Sequence, residues 1–238
     1  MRNDPEEVLA AHQQETRRTI RSFVRRAGRL TPGQAQALQE LWPVFGIDFS
    51  DELIDLDSVF GRAAPRVLEI GFGNGETLVE QAAANPSTDF IGIEVHEPGV
   101  GHCLLRAHAA GISNLRLSRR DAIDVLRQQI PDSSLRRINL YFPDPWPKKR
   151  HHKRRILQHD FLQMLSRKIE PGGTFHIATD WQDYAEQIDE LIGSDDSFRL
   201  SERRTHGGGD PVDRSTTRFE RRGLQQGHKI WDWRLTRI

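Results

Sequence analysis

From Pro65 onward, short apolar runs alternate with longer stretches whose apolar residues recur every three or four positions. Runs of the first kind predict strands and those of the second predict amphipathic helices. Strands are expected at 66–70, 90–95, 114–118, 137–142, 174–178 and near 198–203. Helices are expected between them, at 76–84, 99–110, 121–130, 155–169 and 181–192. Regular alternation of strand and helix predicts a mostly parallel sheet with helices on both faces. The last stretch, 230–238, breaks the rhythm: Trp231, Trp233 and Leu235 alternate with Asp232, Arg234 and Thr236. That is a half-buried strand pattern, and it predicts a seventh, antiparallel strand at or near an edge.

Residues 1–60 read differently. Arg18, Arg21, Arg25 and Arg29 recur at helical spacing, giving one cationic stripe if the segment is helical. Thr31-Pro32-Gly33-Gln34 has the form of a helix N-cap with proline at the first helical position. A basic arm and a helical extension over 1–60 are expected to precede a domain at 61–238. The loop at 207–209 is all glycine.

The net charge of the 238 residues is zero, which would argue against a nucleic-acid partner if the charges were mixed. They are not mixed. Residues 148–155 carry six Lys or Arg and no acid, 17–29 carry six Arg and no acid, and 169–198 carry eight acids and no Lys or Arg. A chain segregated in this way can present a basic face while its total charge is nil. A single cysteine, Cys103, cannot form an internal disulfide and fits a reducing compartment. With no apolar run near the roughly 20 residues of a membrane span, and a polar N-terminus, we expect a cytoplasmic protein away from membranes.

Glu69-Ile70-Gly71-Phe72-Gly73-Asn74-Gly75 lies between the first strand and its helix, where a nucleotide-like ligand meets the carboxyl edge of such a sheet. The pyrophosphate fingerprint needs a small residue where this chain has Glu76. An acid there would repel phosphate, and Glu69 adds another. Glu94, 23 residues past Gly71, stands where a carboxylate accepts both ribose hydroxyls. Asp121 follows the third strand and suits either an adenine amino group or a helix cap. Three acids at three successive strand ends, without a phosphate pattern, suit a ligand carrying a sulfonium, an ammonium and no phosphate. We read an S-adenosylmethionine site.

The stretch from Tyr141 to Arg155 carries the second half of the chemistry. The fourth strand runs into Asp144, held between Pro143 and Pro145, then Trp146 and the cationic run. Two prolines restrict the backbone around that acid, which suits exact placement. A rigid acid beside an aromatic and a polycation points to chemistry on a base of nucleic acid. No metal site is expected: His151 and His152 are adjacent, cannot share a helix face, and sit among cations. Nucleophile elbow, Walker loop and HExxH motifs are absent.

With these residues assembled, the chain resembles the bacterial tRNA (guanine-N7)-methyltransferases over almost its whole length. The resemblance rests on Ser22-Phe23-Val24-Arg25-Arg26 with Gly28 to Thr31, on the Glu69–Gly73 loop, and on Gly92-Ile93-Glu94. It rests also on Phe142-Pro143-Asp144-Pro145-Trp146 with Lys148 and His151 to Arg155, on Ala178 to Trp181, and on Thr217 to Glu220. It implies a Rossmann-like class I S-adenosylmethionine-dependent methyltransferase fold and methylation of the variable-loop guanine at position 46 of tRNA. Glu69, Gly71, Gly73, Glu94, Asp121 and Asp144 would then line the cofactor site, Asp144 being the catalytic position. Lys148, Asp180, Thr217, Arg218, Phe219 and Glu220 would contact the substrate. Arg150, His151, His152, Lys153, Arg154 and Arg155 would contact RNA. Arg218 stands where many relatives carry lysine, and the charge is kept. A monomer is expected, with a homodimer as the alternative. An enzyme methylating an exocyclic amine of a base, or an RNA-binding module with a vestigial pocket, remain the rival readings.

Overall fold

The structure, a computed structural model, describes residues 22–23, 28–207 and 216–238. Most of the arginine stripe, at Arg18, Arg21 and Arg25, and residues 208 and 209 of the triple-glycine loop lie outside the described residues. Seven strands form one sheet: β1 (Arg66–Ile70), β2 (Asp89–Ile93), β3 (Leu115–Ser118), β4 (Leu135–Tyr141), β5 (Ile169–Thr179), β6 (Phe198–His206) and β7 (Ile230–Arg237). Their order is β3-β2-β1-β4-β5-β7-β6, parallel except for β7, which runs antiparallel to both β5 and β6. The alternating pattern of the last strand therefore placed it correctly near an edge.

Short helices α1 (Pro32–Glu40), α2 (Trp42–Phe45) and α3 (Leu56–Phe60) precede the sheet. Within it come α4 (Glu76–Ala84), α5 (Glu97–Ala109), α6 (Ala122–Gln128), α7 (His159–Lys168) and α8 (Gln182–Gly193), and α9 (Arg218–Gln225) lies before the last strand. The expected cap of α1 is present, with Thr31 Oγ1 accepting from the Gln34 amide and the Gln34 side chain accepting from the Thr31 amide. No helix among the described residues is long and apolar enough to cross a membrane.

Two apolar clusters flank the sheet. One joins Leu78 and Val79 of α4 and Val100 and Leu104 of α5 to Val67, Phe90 and Leu117. The other joins α6, α7 and α8 to Ile138, Leu140, Phe175, Ile177, Trp233 and Leu235. Each such side chain removed from water contributes about 1.5–3 kcal/mol. Strand alternation makes the two ends of the sheet unlike. Around β1 and β2 both faces are apolar, Val67 and Phe90 on one side and Leu68 and Ile91 on the other. From β4 to β6 the face opposite Leu140 and Trp233 carries Tyr141, His176, Asp232 and His206 instead.

Three elements differ from expectation. The helix expected at 155–169 begins only at His159; before it, Lys149–Arg154 forms a 3-10 turn and Arg155 to Leu157 turn inward. The inward turn is held by Arg155, which donates to the Pro145 carbonyl, and by the Leu157 amide, which finds a partner in the Tyr184 hydroxyl at 3.2 Å. Strand β5 starts at Ile169, because Ile169 pairs with Leu135 ahead of the Pro171-Gly172-Gly173 turn. Helix α9 was not anticipated, although Thr217-x-x-Glu220 is a capping-box signature and both of its hydrogen bonds are present.

Candidate functional site

The carboxyl ends of the strands come out level. The Gly71 amide donates to the Ile93 carbonyl (2.7 Å), the Glu94 amide to Ser118 (3.0 Å) and the Phe142 amide to Ala178 (2.8 Å). The segments leaving β1, β2 and β4 thus share one edge, and the chain reverses its order between β1 and β4, where open α/β sheets bind ligands.

On the β1 side the site is made of backbone. Gly71, Gly73 and Gly75 all hold positive φ, at 74°, 58° and 72°, which other residues adopt only with strain. Glu94 fixes this turn: its Oε2 accepts from the Gly73 amide and its Oε1 from the His96 amide, both at 2.9 Å. Burial pushes the Glu94 carboxyl above its ordinary value, against the lowering pull of those amides. Glu69 is buried beneath the turn, and Asp121, half-buried, caps α6 by accepting from the Ile123 amide at 3.0 Å. The cap reading of Asp121 is thus seen, at the strand end where a second ligand contact was expected. The donor set suits S-adenosylmethionine: carboxylates for hydroxyls and cations, and Glu76 at the mouth of α4 where a phosphate would sit.

On the β4 side the site is made of side chains. Asp144 is exposed in a turn whose flanking aromatics, Phe142 and Trp146, sit at φ 51° and 45°. Such conformations cost about 1–3 kcal/mol each and persist only where the surroundings over-determine them. Here the surroundings can be named. Trp146 donates to the Ser22 carbonyl at 3.0 Å, the Arg154 guanidinium stacks 4.9 Å over its ring, and His151 meets it edge-on at 5.9 Å. Partial desolvation and the cations around it, Arg150 and Arg154 first, hold His151 below its ordinary pKa.

Arg155 corrects the sequence reading. It was expected to contact RNA, yet only 2% of it is exposed. Its Nε donates to the Pro145 carbonyl at 2.8 Å, its Nη1 to Gln187 at 2.7 Å and its Nη2 to Asp183, while the guanidinium lies 4.7 Å over Tyr184. The hydrogen bond from Arg155 draws the Asp183 carboxyl below its usual range. Arg155 is an internal brace tying the Asp144 turn to α8. His152, half-buried, leans the same way, 3.4 Å from Asp183. Lys148, Arg150 and Lys153 are exposed, as a polyanion-facing surface requires.

Asp180, leaving β5, is held by His228 at 3.2 Å. Beside it opens a cleft of about 710 Å3 walled by Trp181, Thr205, His228, Lys229 and Trp231. Helix α9 crosses above. Gly223 allows the approach, since a Cβ there would lie 2.8 Å from Asp180 Oδ2. Phe219, 57% exposed, reaches over Gly73, and Arg221 bonds Glu76 at 3.2 Å, so α9 spans from the Asp180 side to the glycine turn. Arg218 is exposed; Thr217 and Glu220 are buried in their capping box. Glu220 was expected to contact the substrate, and its carboxylate caps the helix instead. His176, His206, His228 and Asp232, all in contact with site segments, were missed by the sequence reading. Only their burial and pairing, invisible in the order of residues, mark them.

Among the described residues no group of three or more His, Cys, Asp or Glu is arranged so that it could hold a metal ion. A family profile described as "Putative methyltransferase" matches residues 63–233. The tRNA (guanine-N(7)-)-methyltransferase of Halorhodospira halophila is 54% identical over 216 residues, covering 90% of this chain and 94% of that protein. That of Escherichia coli K12 is 51% identical over 222 residues, covering 93% of this chain and 92% of the other. Among solved structures, the 16S rRNA methyltransferase KamB aligns with a TM-score of 0.57 at 17% identity, over 82% of this chain and 98% of that one. TrmN from Thermus thermophilus aligns with a TM-score of 0.53 at 23% identity, over 74% of this chain and 45% of that one. The structural likenesses speak for the fold, and the sequence relatives settle the kinship: the chain belongs to the tRNA (guanine-N7)-methyltransferase family.

Proposed function

We propose that this protein transfers the methyl group of S-adenosylmethionine to N7 of the variable-loop guanine, position 46, of tRNA. The observation that carries the reading is the convergence on one sheet edge of the Glu94-braced glycine turn, the Asp144 turn and Asp180. Bound in the glycine turn, the cofactor supplies an electrophilic methyl on a cationic sulfur. Glu94 offers acceptors for its ribose, with Glu69, Gly71, Gly73 and Asp121 completing that side. Guanine N7 has a lone pair and no proton, so the protein needs no general base. Its task is to hold donor and acceptor in line and to stabilise the cationic ring that results.

Asp144 is the residue proposed for that stabilisation. Asp180, steadied by His228, is suited to accept from the N1–H and amino group of guanine, and Phe219 offers a face for stacking. Lys148, Arg150, His151, Lys153 and Arg154 are proposed to meet phosphate and ribose, with the arm within residues 1–60 extending that surface. The proposal includes a cytoplasmic monomer. It is tested by incubation with labelled S-adenosylmethionine and unmodified total tRNA, followed by nucleoside analysis. N7-methylguanosine, cleavable by borohydride and aniline, is the expected product. An amine-methylated base would make the exocyclic-amine reading correct, and cofactor binding without transfer would leave an RNA-binding module.

A further inference from the structure

Four buried polar side chains cross the β4–β6 end of the sheet in line. Tyr141 Oη lies 3.0 Å from His176 Nδ1, His176 Nε2 lies 3.1 Å from Asp232 Oδ1, and His206 Nε2 lies 3.1 Å from Asp232 Oδ2. They are 7%, 4%, 4% and 6% exposed in the order Tyr141, His176, Asp232, His206. With both imidazole Nε2–H groups donating to Asp232, His176 Nδ1 is left to accept from the Tyr141 hydroxyl. At the His206 end, Glu220 Oε1 stands 3.9 Å from His206 Nε2, and Glu220 is 1% exposed.

The ends of this line matter. Tyr141 lies three residues before Asp144, and Glu220 completes the capping box of α9 by accepting from the Thr217 amide. Among the described residues, the fully buried positions of helix α9 are Glu220 and Gly223, neither of them apolar in side chain, and Leu224 is only half-buried. It rests on the polar face of the sheet, where an apolar face would have been cheaper to bury. Its position over Asp180 and the glycine turn is therefore set by polar contacts, Glu220 beside His206, Gly223 against Asp180 and Arg221 bonded to Glu76, more than by apolar packing.

We propose that His176, Asp232 and His206 are positioning residues, registering α9 and its Thr217–Glu220 cap against the Asp144 turn for methyl transfer. This rests on the tRNA guanine-N7 reading above. The residues touch neither base nor cofactor in this scheme; they act through the two segments they join.

The test compares His206→Leu, which fills the space without the N–H, with His206→Gln, whose amide N–H reaches Asp232 from a similar place. For each variant kcat and KM with tRNA are measured, with S-adenosylmethionine affinity by calorimetry. Displacements of an ångström at a reacting centre cost up to about 10²-fold. We expect His206→Leu to lower kcat by about 10- to 100-fold on that basis, with cofactor affinity held, and His206→Gln to recover most of the loss. Parental kcat in His206→Leu would overturn the proposal, as would equal losses in both variants accompanied by lost cofactor affinity. Should His206→Leu fail to fold, Tyr141→Phe removes one hydroxyl from the other end while keeping the ring. A lower kcat at unchanged cofactor affinity then supports the relay, and parental kcat overturns it. Failure of the underlying reading looks different: the parent protein itself would form no N7-methylguanosine.

Discussion

The two ends of the sheet build their share of the site by different means. Around β1 and β2, apolar residues fill both faces, and the ligand-facing surface is a backbone turn clamped by one carboxylate, Glu94. From β4 to β6 only one face is apolar, and the ligand-facing surface is held by side-chain bonds between distant parts of the chain. Arg155 reaches Pro145 and α8, and Asp232 joins two imidazoles from neighbouring strands. A backbone turn is rigid at the scale of a small cofactor. A side-chain lattice can set several separate segments around a large substrate, and on the function proposed above one lost link should misplace a segment without emptying the cofactor site.

The largest effect should come from Asp144. Asp144→Ala is expected to lower turnover by about 10²–10³-fold, the range for losing one preorganised transition-state contact. Folding, cofactor binding and tRNA binding should persist, because none rests on that carboxylate alone. Asp144→Asn keeps the shape and drops the charge; activity near that of Ala would assign the effect to charge, and near-parental activity to positioning. A parental rate in Asp144→Ala would reduce the residue to a turn element.

On the cofactor side, Glu94→Ala should weaken S-adenosylmethionine binding by about 1–3 kcal/mol, the cost of leaving bonded polar groups unpaired. Burial raises the Glu94 carboxyl, so it takes up its proton at higher pH than an ordinary glutamate. Where the folded form binds the proton more tightly than the unfolded one, stability falls as pH rises through that interval, so ionised Glu94 is a cost at neutral pH. Cofactor affinity should move the other way, weakening as pH falls into the raised range. Calorimetry across that range should show the loss in the parent and none in Glu94→Gln. A parallel pH dependence in both would place the titrating group elsewhere.

Arg155 and its neighbours sharpen the contrast further. Arg155→Met leaves the half-buried Pro145 and Gln187 acceptors without their donor, a loss of about 1–3 kcal/mol in stability. It should slow turnover while leaving the salt dependence of tRNA binding unchanged. A Lys153→Ala/Arg154→Ala double variant should lower the slope of log affinity against log salt by about 0.9 per lost phosphate contact on the duplex rule. If Arg155→Met alone flattened the slope, Arg155 would be facing RNA after all. The smallest effect concerns Cys103, whose thiol burial pushes far up. Alkylation in the native state should be slow and leave activity intact; rapid labelling would show that the α4–α5 side opens.

What could be read from residue order follows the same division. The strands, the glycine turn and Glu94 were legible because each depends on neighbours in sequence or on a fixed spacing from strand to strand. The place of Asp144 in a turn after β4 was legible because prolines flank it. Arg155 was misread because a run of cations looks uniform, and only Asp183, Gln187 and Tyr184, about thirty residues on, single out the one that turns inward. The relay was invisible for the same reason: Tyr141, His176 and Asp232 stand 35 and 56 positions apart. Helix α9 is the exception. Its capping box, Thr217-x-x-Glu220, stands in the sequence, and the same four residues also fit a substrate-contacting segment, so residue order alone does not separate the two roles.

The order β5-β7-β6 has a consequence for biogenesis. Strand β7 pairs with both β5 and β6, so β6 has no sheet to join until residues 230–237 have been synthesised. During translation the nascent chain can assemble β1 to β5 while the edge of β5 stands bare, and an unpaired edge is an invitation to association with other chains. Asp232 arrives with that same strand. The enzyme's substrate half is therefore completed by the step that closes the sheet, and a ribosome-bound chain lacking β7 should hold cofactor before it can modify RNA.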